Sequence, residues 1–401
     1  MRIRTMLIIA ALVAAALPLQ VAAQQETRLT FWSWRVEDKW AYDEMIKVFE
    51  SKNPGIRIEF TPFRATEYNT VLSTAMQAGR GPDIIHLRAY GGLEEYAAPG
   101  FLVSLDERVP ELRNFSPSVL IGARSRRDGH LYGVPFATQT LVIFYNTKIF
   151  QRFNLKEPRA WDEFITVLRA LKDRGVIPLA NGAKEGWTLE IVMGVLAPNF
   201  YGGNDFFNKV MRGDTTFKDP RFTEALGKML ELRPYMPQGF MGVAYADMQQ
   251  LFINEQAAMF VGGIWELGFF QKQNPNLQLD VMRGPAPRVD TVPLVSNFAD
   301  GNYGINARTR YTDAAVKFIR FTATREFGQM FHDKLKQLSA VPGVQIKDPI
   351  LKKVQRWDQH STPYVMLVGF RWQAPTGSTL IQSALQGMLA DRLTPAQVGD
   401  I

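Results

Sequence analysis

The residues best suited to chemistry in this sequence are aromatic and charged side chains set side by side at the ends of short apolar runs. Phe31-Trp32-Ser33-Trp34-Arg35 closes the first such run, and Arg88-Ala89-Tyr90-Gly91-Gly92 follows another at 84–87. A flat ring beside a guanidinium or carboxylate suits a sugar: the ring covers the apolar C–H face while the charged groups satisfy the hydroxyls. Trp32 and Trp34 alternate, so they share one side of an extended segment and only one need belong to a core. Trp34 and Arg35 fit either a cleft or packing. Thr66 and Glu67 open a helix, where Thr66 suits an N-cap and Glu67 suits either a ligand or the solvent. Asp83 suits the Gly-Pro turn at 81–82, which leaves Arg88 and Tyr90, beyond the strand end, as the better candidates for a ligand.

Catalytic motifs are missing. There is no Gly-x-Ser-x-Gly elbow, no phosphate-binding Gly-x-x-x-x-Gly-Lys loop and no His-Glu-x-x-His. The four histidines (86, 130, 332 and 360) are scattered without metal-ligand spacing. The absence of cysteine excludes disulfides, thiol catalysis and thiolate metal sites. Glycosidases need only two carboxylates, which spacing cannot identify, so an exported carbohydrate-active enzyme stays open as an alternative. No cofactor and no metal is expected.

These side chains need a scaffold, and the periodicity supplies one. Residues 29–32, 56–60 and 84–87 read as strands, the second by the alternation of Ile56, Ile58 and Phe60. Between them, Tyr42, Met45, Ile46 and Phe49, then Tyr68, Val71, Leu72 and Ala75, fall at i, i+3, i+4, i+7 on one helix face. Asn53-Pro54-Gly55 ends the first helix and Gly79 the second. This β-α-β-α-β order predicts a parallel sheet with right-handed crossovers, and ligands sit at strand ends in such sheets. Further helices are expected around Trp161, Phe164, Ile165 and Leu168; around Ala315, Phe318, Ile319 and Thr322; and around Ile381, Ala384, Leu385 and Met388.

Residues 1–23 read as a secretory signal: Arg2 and Arg4, an apolar run at 6–17, then Val21-Ala22-Ala23 before Gln24. The run is too short to span a bilayer, and no cysteine is available for lipid attachment. A soluble, exported, periplasmic protein follows as the expectation. Without the signal the chain is still long enough for two domains with separate cores. The formal charge of +7, lowered further by removing the two arginines, is spread without Lys/Arg blocks, which argues against a nucleic-acid partner.

Three longer segments carry a resemblance. They are Gly79-Arg80-Gly81-Pro82-Asp83 with the strand and loop after it, Gly129-His-Leu-Tyr-Gly-Val-Pro135 leading to Tyr145-Asn146, and Phe260-Val-Gly-Gly-Ile-Trp265. With the segment from Pro158-Arg-Ala-Trp161 to Gly175-Val-Ile-Pro178, they resemble the maltose-binding-protein-like receptors that serve carbohydrate ABC importers. Ala160 replaces the Thr or Ser usual there, so that helix loses its preferred N-cap.

The resemblance implies an α/β, two-lobed periplasmic-binding-protein fold (type II-like). Each lobe is a sheet flanked by helices, with the ligand cleft between them. It implies an N-terminal lobe of 24–137 plus 300–340 and a C-terminal lobe of 138–299 plus 341–401, with return crossings near 296–307 and 339–343. It adds site residues: Trp187 in a turn-rich loop, Trp265 at a strand end with Gly263 allowing close backbone approach, and Asp300 and Asn302 at the cleft floor. Arg371 and Trp372 complete the set, the arginine as a fork for vicinal hydroxyls. Relatives continue past the helix begun at Thr394-Pro395, so that helix is expected to be weak. The implied function is capture of a sugar or oligosaccharide by hinge closure and delivery to an inner-membrane ABC permease, by a monomer. A same-fold receptor for a non-sugar solute is the alternative. A polyamine site would be dominated by acids, whereas Arg35, Arg88 and Arg371 are mixed with Glu67 and Asp300; adjacent tyrosines for a ferric site are missing.

Overall fold

A computed structural model describes residues 26–401, so the signal segment at 1–23 lies outside the described residues. The chain lays down β1 (Thr27–Ser33), β2 (Ile56–Pro62), β3 (Ile84–Arg88), β4 (Val134–Pro135), β5 (Ala137–Asn146) and β6 (Ile177–Leu179). It continues with β7 (Ala257–Gly263), β8 (Leu279–Met282), β9 (Val295–Ala299), β10 (Gly301–Ile305), β11 (Leu338–Ser339) and β12 (Ser361–Pro363). Two sheets result. One has the order β2-β1-β3-β10-β4; the other runs β12-β9-β5-β7-β6, with β8 and β11 also on β5.

In the first sheet, β2 alternates as its sequence requires: Ile56, Ile58 and Phe60 are buried while Arg57 and Glu59 face water. The Lys39–Lys52 helix buries Tyr42, Met45, Ile46 and Phe49, and Gly55 leaves it at φ +93°, a conformation glycine adopts without steric cost. These side chains join Phe31, Tyr303 and Phe318 in an aromatic core, where the Tyr42 and Tyr303 hydroxyls meet at 2.7 Å. The Ala65–Gln77 helix buries Tyr68, Leu72 and Met76, and its N-cap is Arg64, in extended backbone and without a side-chain cap bond. Thr66 therefore lies inside the first turn instead of capping it, because the helical conformation starts one residue earlier than the Thr signal suggests.

Only β1, β2 and β3 are mutually parallel. The three strands that the periodicity predicted are parallel as expected, and the added β10, antiparallel to β3 and to β4, makes the complete sheet mixed. The reason is connectivity. β10 enters directly from β9 of the other sheet across the single residue Asp300, and no crossover helix reverses its direction.

Asp83 ties this sheet together at its near edge. Its carboxylate accepts from the Thr30 N–H (2.8 Å), the Thr30 hydroxyl (2.9 Å) and the Thr309 hydroxyl (2.5 Å), joining β1, β3 and the segment after β10. Asp83→Ala is expected to lower stability by about 2–4 kcal/mol, since several charge-assisted bonds vanish together. Urea unfolding with an unchanged m-value is the check; a loss below about 1 kcal/mol would refute this account.

The second core gathers Leu141, Val192, Leu196, Phe206 and Phe222 around β5 and the Gly186–Leu196 helix. The Trp161–Lys172 helix has Ala160 at its N-cap with no side-chain bond, as the substitution implied. Backbone bonding substitutes, with the Trp161 N–H donating to the Ala286 carbonyl at 2.8 Å. The Gly377–Leu389 helix buries Ile381, Ala384, Leu385 and Met388. The short Pro395–Gly399 helix follows, closed by a Thr394/Gln397 capping box and anchored by buried Val398.

Three segments pass between the sheets side by side. The Phe136 N–H donates to the Gly301 carbonyl (3.2 Å), the Asp300 N–H to the Ala137 carbonyl (3.0 Å) and the Ala340 N–H to the Phe136 carbonyl (2.9 Å). Gln139 reinforces them, its amide nitrogen donating to Asp300 Oδ2 and to Gln337 Oε1, each at 2.8 Å. Among the described residues no helix is long and apolar enough to cross a membrane.

Candidate ligand site between the lobes

β7 is buried along its whole length and ends at Gly263. Trp265, at the N-cap of the Glu266–Gln273 helix, folds its indole back over that strand end. A Cβ on Gly263 would lie 1.8 Å from the indole ring, so only glycine permits the arrangement. The indole Nε1–H donates to Glu266 Oε1 at 2.8 Å, and the Tyr245 hydroxyl donates to the same oxygen. The Gln249 amide donates to Glu266 Oε2 at 2.9 Å. Glu266 is buried, and this desolvation raises its carboxyl to about 7 despite the Tyr245 hydrogen bond and the charge of Arg35, which pull the other way. Trp187 sits not in a loop but in the first turn of the Gly186–Leu196 helix, its ring edge-on to Tyr245 at 4.6 Å. Trp187, Tyr245, Trp265 and Glu266 border a small cavity of about 10 Å³.

The facing wall belongs to the first lobe. Arg35, just past β1, clamps Asp38 with Nε at 2.8 Å and Nη2 at 3.1 Å. Burial works against its charge, but Asp38 and Glu37 outweigh it and keep the group protonated. Arg88, ending β3, holds its guanidinium carbon over the Trp34 ring, 4.0 Å from the centroid. Burial lowers it to about 10; Asp300 opposes that fall, while Arg371 of the other lobe adds to it. No hydrogen bond or ion pair engages the Arg88 guanidinium among the described residues, which leaves its donors available. Asp300, on the crossing between β9 and β10, is raised by burial and lowered by Arg88 and by the Gln139 hydrogen bond.

Several candidates are placed differently from the sequence expectation. Trp34 is 4% exposed and stacked on His86 at 4.0 Å, with the Arg88 guanidinium over it, so its faces are covered by protein. Tyr90 is also buried; its hydroxyl accepts the Ala299 N–H at 3.1 Å, linking the lobes. Asn302 is a strand residue of β10 and not part of a turn; it is fully buried, and its amide donates to the Gly122 carbonyl at 2.9 Å. Asn302 is turned inward by its place in β10, whereas Trp34 and Tyr90, just past the ends of β1 and β3, are covered by the rings and backbone packed against them. Thr66 and Glu67 are exposed, and Glu67 lies 3.8 Å from Arg64. No hydrogen bond, ion pair or ring contact joins either to the other candidates.

Arg371 donates to Ser378 Oγ at 2.7 Å and lies 3.5 Å from Glu190, while Trp372 donates to the Val368 carbonyl at 2.9 Å. Both meet the first lobe. The Arg126 guanidinium lies 3.5 Å over the Trp372 ring, and a Cβ on Gly91 would lie 1.7 Å from the Arg371 carbonyl oxygen. The structure therefore brings Arg35, Arg88, Asp300, Trp187, Gly263, Trp265, Arg371 and Trp372 to the inter-lobe region.

Sequence reasoning passed over Glu37, Gln139, Glu190, Tyr245, Gln249 and Glu266. Two of these left a trace: the polar triplet Thr138-Gln139-Thr140 interrupts an apolar strand, and Glu266 directly follows a tryptophan at a helix start. Among the described residues no group of three His, Asp or Glu could hold a metal ion.

This architecture has known counterparts. A structure solved in work on xylan utilization by the thermophile Caldanaerobius polysaccharolyticus superposes with a TM-score of 0.83 at 22% identity, covering 93% of this chain and 98% of that one. The maltose/maltodextrin-binding domain of Bdellovibrio bacteriovorus, bound to maltotriose, does so at 0.74 and 20% identity, covering 93% and 97%. In sequence, the multiple sugar-binding protein of Streptococcus mutans is 25% identical over 382 residues, 90% of this chain and 87% of the relative. A probable sugar-binding periplasmic protein of Rhizobium meliloti is 28% identical over 287 residues, 69% of this chain and 67% of that one. Residues 34–328 match the family described as bacterial extracellular solute-binding protein. With two lobes, three hydrogen-bonded crossings and a walled cleft between them, the chain belongs to that family, a solute-binding protein and not an enzyme.

Proposed function

We propose that this protein captures a sugar or oligosaccharide between its lobes and delivers it to an inner-membrane ABC permease. The observation that carries the reading is the pairing of Trp187 and Trp265 on one wall with Arg35, Arg88 and Asp300 on the other. Stacking covers the apolar face of a pyranose, while the free donors of Arg88 and the acceptor oxygens of Asp300 match vicinal hydroxyls. Sugar-binding relatives in Streptococcus mutans and Rhizobium meliloti support the same substrate class. Residues 24–137 with 300–340, and 138–299 with 341–401, move as the two bodies. A sugar that touches both stabilises the closed form because the open one offers only half its contacts. The signal-like residues 1–23 support a periplasmic site of action, as a soluble receptor.

A thermal-shift screen of the protein without residues 1–23, against mono-, di- and oligosaccharides, tests this. Binding to the native state alone adds about 2.7 kcal/mol at a ligand concentration a hundred times Kd. The expected result is a raised Tm with one sugar class. Shifts with polyamines or sugar-free anions, and none with sugars, would overturn the substrate class and leave the fold standing.

A further inference from the structure

His86 and Arg88 stand two positions apart on β3, so their side chains share one face of the strand and are spaced about 7 Å along it. That gap has room for one flat ring, and Trp34 fills it. The indole is stacked on His86 with 4.0 Å between centroids, and the Arg88 guanidinium carbon lies 4.0 Å from its centroid. The column is braced from behind. His86 Nδ1 is 2.7 Å from the Ser33 hydroxyl, and the Tyr68 hydroxyl donates to the His86 carbonyl at 2.8 Å. Burial, with the charges of Arg88 and Arg35, holds His86 well below the usual histidine range, so the ring against Trp34 is neutral. The arginine stem has its own seat: a Cβ on Gly92 would lie 2.4 Å from Arg88 Cβ, so glycine leaves room for it there.

Of the three cleft arginines, Arg88 is the one whose fork is unspent. Arg35 is bonded to Asp38, and Arg371 donates to Ser378 beside Glu190. Asp300 accepts from Gln139 and makes no ion pair with Arg88. A free arginine loses much rotamer freedom when it grips a ligand, and one already fixed in place loses less. We propose that Trp34 is a positioning residue for sugar capture: it does not touch the ligand but presets Arg88, so that a fixed guanidinium meets the hydroxyls. The role rests on the sugar-receptor reading above and adds to it the residue that sets its polar anchor. Trp34 is suited to this because both faces of its ring are taken by protein, and what it offers the cleft is the place of its neighbour.

The experiment is a double-mutant cycle on sugar affinity, by titration calorimetry of the signal-free protein with glucose, galactose, xylose, maltose and raffinose. Trp34→Leu is expected to weaken the tightest of these at least about tenfold, and Trp34→Phe, which keeps a ring in the gap, by no more than about threefold. Arg88→Met should also weaken it at least about tenfold, and Trp34→Leu added to Arg88→Met should bring less than about a further twofold. Equal losses from Trp34→Leu with and without Arg88 would mean that the indole reaches the sugar itself or acts only through the fold, and would overturn the inference while leaving the receptor reading intact. No binding of any of these sugars by the folded parent would overturn both.

A second measurement needs no sugar. Nitrogen relaxation of the arginine Nε–H groups should give Arg88 an order parameter near about 0.85 in the parent and below about 0.6 in Trp34→Leu. A mobile Arg88 in the parent would overturn the inference. Should Trp34→Leu fail to fold, Gly92→Ala takes its place, since it crowds the Arg88 stem and leaves the indole where it is. It should weaken binding at least about fivefold alone and less than about twofold beside Arg88→Met. Unchanged affinity in Gly92→Ala would show that the seat of Arg88 does not matter, and would equally overturn the inference.

Discussion

Trp265→Ala is expected to weaken sugar binding by at least about 100-fold, a loss of about 3 kcal/mol. The indole supplies a broad stacking surface and, through Nε1, orients the Glu266 carboxylate. Alanine removes both and leaves Glu266 Oε1 to the Tyr245 hydroxyl alone. Trp265→Phe retains a ring but not the N–H, so it should recover part of the affinity. Titration calorimetry of both variants, with unfolding midpoints to confirm folding, makes the comparison. An alanine variant within about threefold of the parent would sink the stacking role.

The second large effect is expected at Gln139. Its amide nitrogen is shared by Asp300 Oδ2 and Gln337 Oε1 where the three crossings run together, and the side chain is fully buried. Gln139→Leu leaves a buried carboxylate and a buried amide oxygen without their donor, a cost of about 3–5 kcal/mol. Denaturant unfolding should show that loss, and small-angle scattering should show a smaller compaction on adding sugar than in the parent. A Gln139→Leu variant as stable as the parent would mean that the crossings do not depend on this amide.

Much of the scaffold was readable because burial imposes periods that survive in a single sequence. Tyr42, Met45, Ile46 and Phe49 mark a helix face, Ile56, Ile58 and Phe60 a strand, and both are buried as spaced. The direction of β10 was not readable, since pairing partners far apart in sequence leave no local mark. The site divides in the same way. Trp265 was legible from the strand-end glycines, whereas Tyr245, Gln249 and Glu266 form one cluster only because separate helices converge on it. Trp34 and Tyr90 show the limit from the other side. Residue type marks a ring as able to stack, but whether it packs on His86, as Trp34 does, or takes a hydrogen bond from the Ala299 N–H, as Tyr90 does, is decided by the tertiary fold.

The three crossings, bonded edge to edge at Phe136, Asp300 and Ala340, have a mechanical consequence. A single linker would act as a swivel, free to twist and slide; three laid flat and stitched together act as a leaf hinge, compliant in one bending direction and stiff in the others. Closure by such a joint is described by a single angle. The two facing walls would then meet in one register each time, set by the joint and not by whatever lies between them.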